Sequence, residues 1–163
     1  MKGGMPRIVL FMVPVALVGV LLFSCTKEKS HEGGSMELRS KEYPLNAVGA
    51  SGVNGQIVIS ENADSSFNVL VALSKTVKDT VHVLHIHNGS ISNPGSIAVA
   101  LSPVTGSGDS ATSITSNVSE IVLPDNSTQK TTYDDMLGFA GYVDVHYSAA
   151  KSDSLIAEGT IGQ

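Results

Sequence analysis

From Tyr43 to the C-terminus the chain falls into short runs rich in Val, Ile and Ala that alternate with polar residues, separated by clusters of Gly, Asn, Asp and Ser. A side-chain period of two belongs to strands with one covered face, and it does not fit a helix. The alternation predicts strands at Tyr43–Gly49, Gly55–Glu61, Ser66–Lys75, Thr80–His87, Ser96–Pro103, Ala140–Ser148 and Leu155–Ile161, with a weaker candidate at Ser113–Ser119 or Glu120–Leu123. Asn62-Ala-Asp-Ser-Ser66 is a hairpin signal, because Asn and Asp tolerate turn conformations and bond their own backbone. The strands on either side of it should therefore be antiparallel neighbours. One short helix is expected at Tyr133–Phe139, where Thr132 offers an N-cap oxygen, Asp135 completes a capping box, and Gly138 and Gly141 end the run. No strand–helix–strand rhythm occurs. The expected fold is all-β, an antiparallel Greek-key-like sandwich or flattened barrel with one short helix. Val58, Val69, Val71, Leu84, Ile86, Val99, Leu101, Val143 and Val145 are the expected core, and Val104–Ser119, rich in Gly, Ser and Thr, an exposed loop or edge excursion.

The segment before this region reads differently. Ile8 to Phe23 is an apolar run preceded by Lys2 and Arg7 and broken by Pro14 and Gly19. It is short for a spanning helix, which needs roughly 20 apolar residues, and has the form of a secretory signal. Leu22-Phe23-Ser24-Cys25 resembles the lipobox of bacterial lipoproteins, in which the Cys becomes lipidated and N-terminal after cleavage. Cys25 is the sole Cys of the chain, so it has no intramolecular disulfide partner. Residues 1–24 are thus expected to be a lipoprotein signal peptide, 25–42 a flexible polar tether, and 43–163 the folded domain. The membrane is the expected partner through the lipid on Cys25. Thr26, rather than Asp, after the Cys points to the outer membrane under enteric-type sorting. His31 lies in the tether and is not counted as a ligand.

Ten Lys and Arg residues against fifteen Asp and Glu give a net charge of −5, and loss of Lys2 and Arg7 with the signal makes the mature chain more acidic still. A chain of this balance has no basic patch for phosphates, so nucleic-acid binding is set aside. No G-x-S-x-G elbow marks a nucleophile, and no Gly-rich loop opens a long helix for a nucleotide. No catalytic residue is assigned.

Histidine carries what chemistry there is. In Thr80-Val-His-Val-Leu-His-Ile-His87, alternation places His85 and His87 on one face, and His82, Leu84 and Ile86 on the other. Positions i and i+2 of a strand are about 6.6 Å apart, so both imidazoles can converge on one ion above the sheet. In Tyr142-Val-Asp-Val-His146, Val143 and Val145 form the core-like side, and Tyr142, Asp144 and His146 face away. Neutral imidazole suits copper and zinc, which makes His85, His87 and His146 a candidate metal set. Asp144 or water would supply a fourth ligand, or Asp144 would orient an imidazole; its commoner use is as a solvated strand residue. Histidines on sheet faces also serve as plain hydrogen-bonding groups, which is the expectation for His82.

The segments His85-Ile-His87-Asn-Gly, Leu137-Gly-Phe-Ala-Gly-Tyr-Val-Asp-Val-His146 and Leu155-Ile-Ala-Glu-Gly-Thr-Ile-Gly-Gln163 resemble the CHRD domain, a family named from chordin, over about Tyr43 to Gln163. The last segment lacks that family's usual Arg. The resemblance implies an extracellular or envelope setting, with an extracellular or envelope protein or glycan as partner. A more distant similarity is to copper/zinc superoxide dismutase, whose copper-ligand strand reads H-G-F-H-V-H; His82, His85 and His87 reproduce its spacing. By that similarity His85 and His87 match two copper ligands and His146 a ligand on a late strand. The departures argue against dismutase turnover: there is no His between Asn88 and Tyr142, no Arg in the loop before Leu155, and no disulfide. Two function classes stand open. One is a lipid-anchored envelope protein acting as a non-catalytic binding or structural module. The other is a periplasmic or surface copper- or zinc-binding protein using the three histidines.

Overall fold

The computed structural model describes residues 38–162; the apolar run, Cys25 and His31 lie outside the described residues. Ten strands and one helix follow in the order β1 (Ser40–Ala47), β2 (Gly55–Glu61), β3 (Phe67–Leu73), β4 (Val81–Ser90), β5 (Asn93–Thr105), β6 (Ala111–Val118), β7 (Glu120–Val122), β8 (Thr128–Lys130), α1 (Tyr133–Leu137), β9 (Gly141–Ser148) and β10 (Lys151–Ile161). Eight strands make one antiparallel sheet in the order β5-β4-β9-β10-β1-β2-β3-β6, and β7 pairs with β8 in a separate hairpin. The sheet rolls into a nearly closed, barrel-like sandwich, as its alternation and turn chemistry predict.

Two joints hold the halves of this sheet together. At one, β1 meets β10 through only two facing residue pairs, Asn46 with Glu158 and Ala47 with Ala157. Gly159 permits this crossing, because a Cβ there would lie 2.1 Å from the carbonyl oxygen of Pro44. At the other, β5 and β6 are fastened by side chains: the Ser102 amide donates to Thr115 Oγ1 at 2.8 Å, and Ser113 Oγ donates to the Ser102 carbonyl at 2.9 Å. Pro103 in β5 has no N–H to offer a ladder, which fits the outer edge of a sheet.

The hairpin at Asn62–Ser66 pairs β2 with β3 as expected, and Ser65 adopts a left-handed conformation with φ 69°. The helix also begins as expected. Thr132 accepts from the Asp135 amide at 3.2 Å, and its own amide donates to Asp135 Oδ2 at 3.0 Å. Both weaker strand candidates form, as β6 and β7. β6 lies within the stretch expected to be a loop or edge excursion; it is the end strand of the sheet and pairs on one side with β3.

Leu84, Ile86, Val143, Val145, Val69, Val71 and Leu101 are buried as expected. Two core assignments need correction. Val58 is only half-buried, and its neighbours Ile57 and Ile59 are fully buried in its place. The run Ile57-Val58-Ile59 is apolar on both faces, so alternation cannot choose between them. Pairing with β3 decides it, because Ile57 faces Val71 and Ile59 faces Val69 on the inner side. Val99 packs against the core while remaining half-buried, and Ala98 and Leu101 are the buried residues of that stretch. Register shifts between β4 and β5, including one between Ile86 and His87, interrupt the simple alternation.

Candidate metal centre

β4 and β9 lie side by side in antiparallel register, with Leu84 facing Val145 and Ile86 facing Val143. These four side chains fill the interior, so the intervening residues of both strands point to the outer face. There His85 lies directly opposite Asp144, and His87 opposite Tyr142. His146 is two positions beyond Asp144, on the same side. The valine and isoleucine positions thus fix where the imidazoles go: once the apolar residues are inside, the three histidines share a face.

The donor atoms converge. His85 Nδ1 is 3.1 Å from His146 Nε2. Asp144 Oδ1 lies 3.2 Å from His146 Nε2 and 3.7 Å from His85 Nδ1, and Asp144 Oδ2 lies 3.0 Å from His87 Nε2. One ligand atom from each of the four residues falls within 4.8 Å of the others. A tetrahedral ion with bonds of about 2.0–2.1 Å separates its ligand atoms by about 3.3–3.4 Å. The cluster therefore needs only small shifts to enclose such an ion.

Backbone carbonyls behind the rings set the tautomers. His87 Nδ1–H donates to the Gly95 carbonyl at 3.0 Å, and His146 Nδ1–H donates to the Ser152 carbonyl. With the protons on those nitrogens, the Nε2 lone pairs face the centre, the arrangement a metal requires of neutral imidazole. The Ser152 carbonyl reaches His146 because the β9–β10 register shifts between Lys151 and Leu155. Burial pushes the His85 imidazole below its ordinary pKa, an effect that the nearby Asp144 carboxylate opposes. Tyr142 stacks on His87 with ring centroids 5.0 Å apart and planes 19° from parallel.

Two buried polar atoms, His87 Nε2 and Asp144 Oδ1, have no hydrogen-bond partner among the described residues. Each such atom costs about 1–3 kcal/mol unless something satisfies it. Both belong to residues of the four-membered group, and a cation held by that group would give each a partner.

The structure brings together all three histidines expected as ligands and adds Asp144, which is 5% exposed and not the solvated residue that strand statistics favour. Its burial comes from the imidazoles around it and could not be read from its own strand. His82 is absent from the cluster. It is fully buried on the inner face, donating from Nδ1 to the Tyr147 carbonyl at 2.8 Å and accepting at Nε2 from the Val77 amide at 3.2 Å. The carbonyls of Gly95 and Ser152 were not foreseen; they depend on strand irregularities that carry no signature in side-chain type. Asp134, in the first turn of α1, pairs with Arg39 at 2.9 Å. No family model matches the chain, and no curated protein matches it.

Proposed function

We propose that this protein is a lipid-anchored component of the cell envelope whose β-domain binds one copper or zinc ion through His85, His87, His146 and Asp144. The observation that carries the proposal is the pair of buried, unpartnered donors, His87 Nε2 and Asp144 Oδ1, within a closed group of four potential ligands. His82 on the opposite face, by contrast, has a hydrogen-bond partner at each ring nitrogen. Three imidazoles and a carboxylate suit copper(II) or zinc, and copper(II) should bind more tightly by the general order of divalent metals. The envelope setting rests on the lipobox at Cys25 and the resemblance to the CHRD family. The role is binding; no catalytic step is assigned to any residue.

Elemental analysis of the full chain, purified without a histidine tag, should find one equivalent of metal after loading with Cu(II) or Zn(II). Calorimetric titration should show His87→Ala weakening binding by more than about tenfold, as loss of a metal contact does. Absence of binding in the wild type, or equal affinity in the variant, overturns the proposal.

A further inference from the structure

The row of residues crossing the outer face at the centre runs Asn46, Glu158, Asp144, His85, Ala100, from β1 through β10, β9 and β4 to β5. Glu158 is therefore the cross-strand neighbour of Asp144. Directly opposite residues of an antiparallel pair share a face, with Cβ atoms about 4.5–5.5 Å apart. Glu158 is half-buried, flanked along β10 by the buried Ala157 and Gly159. Among the described residues, no ion pair engages its carboxylate.

Among the described residues, the strands that carry the cluster hold little basic charge. β4, β5 and β9 contain no Lys or Arg, and the single basic residue of β10, Lys151, holds its ammonium 4.7 Å from the ring centroid of Tyr147. Two carboxylates thus stand in adjacent strands. Asp144 is enclosed among the imidazoles, and Glu158 lies on the side of the cluster towards β1. On the β5 side, Ala100 faces His85 and the exposed Ile97 faces His87, and neither can attract an ion. In the row that crosses the centre, the charged neighbour of Asp144 is Glu158, and it is negative.

Resting on the metal-binding reading above, we propose that Glu158 is the entry carboxylate of the centre: it takes the incoming hydrated cation first and passes it to Asp144 and the histidines. The exchangeable partner of the site is then a free divalent cation. Small anions, which a basic rim would draw in, are repelled from the bound metal. Glu158 lies outside the closed group of four ligands, so its effect falls on the rate of capture more than on the final affinity.

The chain contains no Trp, and Tyr142 stacks on a ligand, so tyrosine fluorescence can follow metal capture in stopped flow. With the full chain and Zn(II) or Cu(II) as probe, Glu158→Gln should slow capture roughly threefold to tenfold at low ionic strength. The difference should shrink near 1 M salt, where the screening length falls to about 3 Å. Glu158→Asp should retain most of the rate. Equal capture rates for wild type and Glu158→Gln at low salt overturn the entry role while leaving the metal site standing. An affinity loss above about a hundredfold with an unchanged capture rate also overturns it, because Glu158 would then be a ligand. No binding by the wild type overturns the metal reading and the entry role together.

Discussion

Among single residues, Gly95 acts on the centre from behind one of its ligands. Its carbonyl holds the Nδ1 proton of His87, and a Cβ at this position would lie 2.3 Å from the carbonyl oxygen of Asn88. Gly95→Ala must therefore move the backbone that orients His87. The expected result is a loss of metal affinity of about 10–100-fold, the usual cost of disturbing the partner behind a ligand, measurable by calorimetric titration. A variant that binds like the wild type would show that the carbonyl is dispensable. The histidines themselves were legible in the sequence because alternation alone decides facing: with Leu84, Ile86, Val143 and Val145 inside, His85, His87 and His146 must be outside together. Asp144 was legible as a neighbour but not as a buried donor. Its surroundings come from a second strand, and a sequence read strand by strand does not show which residue lies across the ladder.

At the scale of elements, β2 shows where alternation stops being informative. Ile57, Val58 and Ile59 are all apolar, and only the register with β3 sends the isoleucines inward. Ile57→Ala should destabilise the domain by about 2–5 kcal/mol, whereas Val58→Ala should cost less than about 1 kcal/mol; chemical denaturation of both variants checks the assignment. The same element carries a pH-sensitive fastening. Arg39, just ahead of β1, donates to both oxygens of Glu61 at 2.8 Å, contacts Asp134 of α1, and lies 4.9 Å from the ring centroid of Tyr133. Hydrogen bonds from Arg39 hold the Glu61 carboxyl below its ordinary range. A carboxyl whose pKa is depressed by folding adds stability above its unfolded value, about 4.3, and that stability is lost as the pH falls through the folded value. The domain should accordingly melt at lower temperature as the pH falls from about 5 to 3, with a shallower slope in Arg39→Ala. Identical slopes would remove this pair from the acid response. β8 escaped the sequence reading because Thr128–Lys130 has no apolar residue and forms only against β7.

For the molecule as a whole, attachment is the first thing to test. Replacing Cys25 with Ala should release the chain from membranes or leave the precursor uncleaved, and fractionation with normal processing and unchanged membrane association would refute lipidation. Within the domain, the long-range order of the strands was only partly legible. The β2–β3 hairpin is set by local turn chemistry, but the pairings of β4 with β9 and of β1 with β10 are set by how the whole sheet closes. That closure has a mechanical side. All four candidate ligands sit on β4 and β9, whose half of the sheet meets the other through two facing pairs at one edge and side-chain fasteners at the opposite edge. An ion held as proposed would tie together two adjacent strands of one half, with Glu158 alone standing at a joint, opposite Asn46 of β1. If the proposed ion binds there, its loading would act first on β4 and β9 and would reach β1 only through β10.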